Sequence, residues 1–274
     1  MTESAADLVL EREGGVATLT FDRPERLNAF RRSTYERLRD LLGELSADSS
    51  VRAVVLTGRG RAFCAGEDLR ELDAMAGDAR FEEHAASGVR VLQDITRRIV
   101  ESDAIFVAAV NGVAAGFGAE LAIACDVRVA ARSARFLFPE VRRGLFVTNG
   151  VSYLLPRLIG RGRAAELLLS GEAIGGEEAQ RIGLATRCVD DASCVGDALA
   201  LAHVVASNAR LSVALTKRIL RETADGTLDE AMAREVEYAM TCFRGGAHGE
   251  GARAFLEKRA PRFTASPPHA ASGA

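Results

Sequence analysis

Cysteine is scarce here and poorly placed for either metal binding or cross-linking. The five cysteines, Cys64, Cys125, Cys188, Cys194 and Cys242, form no CxxC pair and have no histidine at metal-ligand spacing. Neither a metal site nor a disulfide framework is signalled, and a reducing, cytoplasmic setting is the expectation. No block of like charge occurs: 35 basic and 38 acidic residues are interspersed, for a formal charge of −3. That balance argues against a nucleic-acid partner or a polybasic membrane surface. Long apolar runs are also missing. The longest uncharged one, Ala104 to Ala119, has 16 residues and is interrupted by Asn111 and three glycines, too short and too broken to span a bilayer. The start, MTESAADLVLEREGG, has no basic segment followed by an apolar one, as a secretory signal would. GxxxxGK[ST] and GxSxG motifs, sequence repeats and internal low-complexity segments are all absent.

What is present is a chain of 274 residues, 48% of them hydrophobic, enough to bury one large core. The expected layout is a main domain over residues 1–200, a helical region over 201–263 and a disordered tail over 264–274. LVLEREGGVATLTFD alternates apolar and polar residues on both sides of Gly14-Gly15, which predicts a β-hairpin. Ser33 and Glu36 have capping-box spacing, and Tyr35, Leu38, Leu41, Leu42 and Leu45 then share one helical face. RAVVLTG reads as a buried strand leading through RGRAFCAGEDL into a helix, and Arg80 to Val100 as a long helix with Val89, Leu92, Ile95 and Ile99 in register. AIFVAAV and DVRVAA are further strands. Strands alternating with helices predict an α/β architecture with parallel pairing. From about Glu177 onward the pattern predicts helices only, among them SVALTKRIL, LDEAMAREVEYAM and EGARAFLEKR.

The chemistry gathers in three stretches. In VNGVAAGFGAELAIACD an apolar run carries a single carboxylate, Glu120. Gly116 and Gly118 suggest a dinucleotide fingerprint only weakly, because Leu121 holds the third glycine position and no strand is predicted directly before them. The glycines equally suit a backbone that another molecule approaches closely, at a helix start whose N–H groups can hold a negative oxygen; tight core packing is the competing explanation. RAFCAGEDL offers a second loop into a helix start, where Glu67 and Asp68 can simply favour the helix N-terminus. FLFPEVRRG places Glu140 after Pro139. A carboxylate in apolar surroundings needs a partner, a proton or a task, and for Glu120 an ion pair with Arg128, Arg142 or Arg143 competes with catalysis.

Five segments, RPERLNAF, RAFCAGEDLREL, AVNGVAAGFGAELAIACDVRVAA, FPEVRRGLFVTNGVSYLLPRLIG and AFLEKRAPRF, resemble in order and spacing the signature segments of the crotonase superfamily, and within it the enoyl-CoA hydratases. The resemblance runs from about Leu8 to Phe263. It implies a spiral of repeated ββα units with a helical C-terminal region, assembly as a homotrimer or dimer of trimers, and an acyl-CoA substrate. No cofactor is implied, since coenzyme A is part of the substrate. Two backbone N–H groups of an oxyanion hole fall by this resemblance on Ala65 and Phe117, and the two water-holding glutamates on Glu120 and Glu140. The implied reaction is syn addition of water to a trans-2-enoyl-CoA, with Glu120 as base and Glu140 as the acid at the α-carbon. Contacts to CoA and substrate carry over onto Arg26, Leu27, Ala29, Ala62, Ala65, Gly66, Asp68, Leu69 and Gly116, and onto Phe255 and Lys258 toward a neighbouring subunit. Many relatives have glycine at Phe117, and the Phe117 ring is expected to shape the acyl pocket. Where hydratases commonly read IPGAGG, this chain has FVTNGV, residues 146 to 151. Thr148 stands where other branches of the superfamily place an acid, and a hydroxyl cannot serve as one near neutral pH. A Δ3,Δ2-enoyl-CoA isomerase, which needs one glutamate, is the alternative enzyme. A non-catalytic acyl-CoA-binding protein would be expected to lose the glutamates.

Overall fold

Residues 2–5, 7–75 and 81–263 are described by a computed structural model. Their strands form two sheets. A seven-stranded sheet has the order β1 (Thr2–Ala5), β2 (Leu8–Glu13), β3 (Val16–Phe21), β4 (Ala53–Gly58), β6 (Ile105–Val110), β8 (Val127–Ala131) and β11 (Arg187–Val189). A four-stranded sheet has the order β10 (Ile174–Gly175), β9 (Arg135–Leu137), β7 (Val113–Ala115) and β5 (Ala62–Cys64). The predicted hairpin is β2 and β3, antiparallel around Gly14-Gly15. From β3 to β4, β6, β8 and β11 all pairings are parallel. Every residue of β4 and β6 is buried, as expected for strands covered on both faces.

The chain winds between the sheets three times. β4 turns a corner into β5, β6 turns at Asn111-Gly112 into β7, and β8 turns into β9. A helical segment follows each pair: Leu69–Met75 and Phe81–Glu101, then Phe117–Ala124, then the short 3-10 turn Glu140–Arg143 with helix Val151–Ile159. These are the repeated ββα units that the resemblance implied, formed without any repeat in sequence. Helix Arg32–Ala47 buries Tyr35, Leu38, Leu41, Leu42 and Leu45 on one face, as predicted; each such side chain contributes about 1.5–3 kcal/mol. Ile95 and Ile99 anchor helix Phe81–Glu101 in the same core. The expected helix start at Arg80 and the expected tail over 264–274 lie outside the described residues.

Three local expectations are corrected. The capping box at Ser33 does not form: the helix begins one residue earlier, and the Arg32 N–H donates to Glu71 across the fold at 2.8 Å. Glu36 pairs with Arg32 instead. The region after Glu177 is not helical throughout, because β11 adds a parallel edge to β8; three residues are too few to show a strand period. A strand, β7, does directly precede Gly116, but it is only three residues long and enters a two-glycine turn.

The C-terminal helices are tied to the winding by a buried cation. Lys217, on helix Arg210–Glu222, donates its ammonium to the carbonyls of Ile99 (2.8 Å) and Ala104 (2.9 Å) and pairs with Asp126 at 2.9 Å. All three ammonium protons thus have partners, which makes burying the charge tolerable. The division drawn at residue 200 falls inside helix Cys194–Ser207, which packs on β4, β6 and β8. Beyond it, helix Leu228–Gly245 buries none of its residues and exposes Leu228, Met232, Val236, Met240 and Phe243, a stripe at helical spacing. Among the described residues, no single helix is long and apolar enough to cross a membrane.

Candidate active site

The first winding brings two loops together. Asn28, 1% exposed and left-handed (φ 57°), donates its side-chain amide to the carbonyls of Ala62 (2.8 Å) and Arg59 (3.0 Å) and accepts from the Arg23 N–H at 3.0 Å. This tie sets Arg26, Leu27 and Ala29 beside Ala62, Ala65 and Gly66. Phe30 then bridges Glu67: its N–H reaches the Gly66 carbonyl and its carbonyl accepts from Asp68, both at 2.8 Å. Asp68 is ion-paired to Arg23 at 2.9 Å and accepts from the Arg70 N–H as helix Leu69–Met75 opens. Burial alone would push the Asp68 carboxyl up, and these donors hold it below its ordinary value.

The bridge corrects one assignment. The Ala65 N–H donates to the Leu27 carbonyl at 3.0 Å, so it is engaged and not available to an acyl oxygen. Glu67, whose own N–H points away from Phe30 in a parallel bridge, has no acceptor for it among the described residues; nor has Phe117, the first residue of its helix. Those two amides lie close together. A Cβ built on Gly66 would stand 3.5 Å from the Phe117 nitrogen and 2.7 Å from the Ala115 carbonyl, and Gly66 sits at φ 92°, where only glycine is unstrained. A Cβ on Gly118 would lie 2.0 Å from the Cys64 carbonyl, so the absence of a side chain there lets helix Phe117–Ala124 press against β5. The Phe117 ring is turned inward: 5% exposed, it packs on Tyr35 (4.8 Å between centroids) and Phe30 (5.5 Å). It therefore braces the N–H from behind and contributes to the core rather than to an open pocket wall.

The second and third windings supply the carboxylates. Glu120 lies in the first turns of helix Phe117–Ala124 and is 3% exposed. Among the described residues, no arginine forms an ion pair with it. Arg128 donates to the carbonyls of Leu184 and Cys125, and Arg142 to the Ser170 carbonyl and Glu172. The partners of Glu120 are the Asn149 side-chain amide, on Oε2, and the Thr148 N–H, on Oε1 at 3.4 Å. Glu140 begins the 3-10 turn after Pro139. Its Oε1 stands 3.0 Å from where a Cβ on Gly116 would lie, and its buried Oε2 has no hydrogen-bond partner among the described residues. Burial pushes the Glu120 carboxyl up to about 8, repulsion from Glu140 adds to the rise, and the Thr148 and Asn149 donors oppose it. Burial also raises Glu140, and Arg143 partly offsets this. Both carboxyls are thus pushed toward their protonated forms, chiefly by burial.

A stability prediction follows. Glu120 changes from an unfolded value near 4.5 to about 8 when folded, so the folded state binds the extra proton and stability falls as pH rises through that window. Glu120→Gln removes the titration. Its unfolding free energy should exceed that of wild type at pH above about 8, by an amount on the order of a few kcal/mol and with a correspondingly higher unfolding temperature, with little difference below about pH 5. Equal thermal unfolding curves for the two proteins at alkaline pH would contradict this.

Sequence reasoning brought Glu120, Glu140, Phe117, Gly116, Gly66 and the loops of Arg26 and Ala62 to one place. It missed Asn28, Asn149 and the Glu67 amide. Asn28 stood within a quoted signature, and Asn149 within the loop that departs from the hydratase pattern. Phe255, 83% exposed, and Lys258 lie at the end of helix Ala247–Leu256, which packs on helix Leu228–Gly245. No hydrogen bond or ion pair among the described residues ties their side chains to this site. No cluster of three or more metal-ligating side chains occurs among the described residues.

Residues 11–266 match the family model described as enoyl-CoA hydratase/isomerase. The chain is 38% identical over 253 residues to the 1,2-epoxyphenylacetyl-CoA isomerase of Escherichia coli K12, covering 92% of this chain and 96% of that one. It is 36% identical to the short-chain-enoyl-CoA hydratase of Clostridium acetobutylicum, over 92% and 95% of the two chains. A putative enoyl-CoA hydratase from Streptomyces coelicolor superimposes with a TM-score of 0.88 at 38% identity, over 94% of each chain. The enoyl-CoA hydratase of Bacillus anthracis does so with 0.88 at 31% identity, over 94% and 98%. By matched length, by fold and by signature segments, the chain belongs to the enoyl-CoA hydratase/isomerase family of the crotonase superfamily.

Proposed function

We propose that the protein is an enoyl-CoA hydratase that adds water across the 2,3 double bond of a trans-2-enoyl-CoA. The observation that carries this reading is the pair of carboxyls, the buried Glu120 and the half-buried Glu140, beside the Phe117 N–H, which is unengaged among the described residues. The thioester oxygen sits between the N–H groups of Glu67 and Phe117, where the negative charge that develops on it is held by donors already in place. Glu120 accepts a proton from water as the hydroxyl forms its bond to C3; Glu140 gives a proton to C2. The pair is reset by proton exchange, so one water is consumed and no cofactor takes part. Arg26, Leu27, Ala29, Ala62, Gly66 and Leu69 border the path of the CoA moiety. An isomerase needs only one proton-moving carboxylate, and two coupled ones serve hydration better.

The test is loss of conjugated-thioester absorbance when purified protein meets trans-2-butenoyl-CoA and longer 2-enoyl-CoAs. A protein that binds these thioesters and leaves them unchanged is not a hydratase.

Assembly belongs to the same proposal. The apolar stripe on helix Leu228–Gly245, with Leu220 and Leu256 also exposed, is a surface that copies of the chain would cover in a trimer or dimer of trimers. Light scattering should give three or six times the chain mass, and Val236→Glu should lower it. A monomer at micromolar concentration would exclude the trimer.

A further inference from the structure

The loop of residues 146 to 151 differs from the hydratase pattern just where it meets Glu120. Asn149 is 1% exposed, and its Nδ2 donates to Glu120 Oε2; the Thr148 N–H donates to Oε1. The loop is itself held in place. Gln93, on helix Phe81–Glu101, donates its side-chain amide to the Thr148 carbonyl at 3.2 Å. Gly150, at φ 73°, then turns the chain directly into helix Val151–Ile159. Both oxygens of Glu120 thus face donors, an environment that favours the charged form of a carboxylate. Glu140 is placed oppositely, with a buried Oε2 that no donor among the described residues reaches.

We propose that Asn149 is a positioning residue for hydration: its side-chain amide holds Glu120 Oε2 in place and opposes the burial that disfavours ionisation, so that Glu120 can serve as the proton acceptor. This deepens the hydratase reading and rests on it. The Asn149 donor is a side chain, so it can be removed without altering the backbone that carries the Thr148 N–H.

The experiment compares wild type, Asn149→Ala and Asn149→Asp in the hydration of trans-2-butenoyl-CoA across about pH 5 to 9. Asn149→Ala should lower kcat about tenfold or more with little change in KM, and move the acid limb of kcat/KM upward by about one pH unit. Asn149→Asp has the same shape but no donor when ionised. Its deficit should be larger at neutral pH and shrink as pH falls and its own carboxyl protonates. An unchanged acid limb, or a loss confined to KM in both variants, overturns the proposal. A second measurement needs no turnover: the pH dependence of thermal unfolding, with Asn149→Ala placed in the wild-type and Glu120→Gln backgrounds. The pH at which Glu120 destabilises the fold should rise in the first background, and no such shift should occur in the second. If that shift appears in a protein that hydrates nothing, the hydratase reading falls and the Asn149 coupling to Glu120 stands. If hydration is present and neither limb nor shift moves, the Asn149 proposal falls alone.

Discussion

Glu140→Gln is expected to lower hydration by about three orders of magnitude while leaving thioester binding nearly intact. The side chain is isosteric, so the packing beside Gly116 is kept. What is lost is the proton for C2: the unpartnered, buried Oε2 favours the protonated carboxyl, and an amide cannot give up a proton at any working pH. On the proposed reading the CoA moiety meets the loops around Asn28 and Ala65, which do not involve this residue, so KM should move little. Turnover of trans-2-butenoyl-CoA followed by absorbance, with binding followed by calorimetry, separates the two effects. Retention of more than about a tenth of the wild-type rate would mean that another group protonates C2. A dead Glu140→Gln beside an active Glu120→Gln would point to a single-carboxylate proton shuttle, the isomerase chemistry.

Gly118→Ala should damage both stability and rate, although it adds only one methyl, directed at β5. The methyl would fall 2.0 Å from the Cys64 carbonyl, and neither backbone has room to yield: Cys64 and Gly118 are both buried. Helix Phe117–Ala124 must retreat from β5, at a cost of about 1–3 kcal/mol for overpacking. The retreat carries the Phe117 N–H away from the Glu67 N–H, and a displacement near 1 Å at such a site lowers kcat by about a hundredfold. Urea unfolding and kcat on the same preparation test both parts. A stable variant with wild-type kcat would show that helix and strand do not need this close approach.

How much could be read in advance depends on length and pairing. Helix Phe81–Glu101 and strands β4 and β6 are long enough for their periods to show, and they appear where expected. β5, β7, β9, β10 and β11 have two or three residues each; at that length no period exists, and neighbouring strands decide the conformation. The helix start at Arg32 depends on Glu71, a tertiary partner that local capping rules cannot see. At the site, Glu120 was legible because charge in an apolar run is conspicuous, whereas Glu140 stood out by its place after Pro139 and by the resemblance to the crotonase segments. The donor amide was placed two residues early, on Ala65, because the direction in which a backbone N–H points depends on which residue bridges Phe30. Asn149 was invisible for a related reason: nothing local says which distant carboxylate a buried amide will meet.

The three windings described above each deliver a different part of the site. The first supplies the Glu67 amide, the second Phe117 and Glu120, the third Glu140 and the loop of Asn149. The reactive centre is thus a product of contacts between residues far apart in sequence, and such contacts are the slow ones to form in folding. A partly wound chain would lack at least one of these parts, so the arrangement is complete only when all three windings are in place.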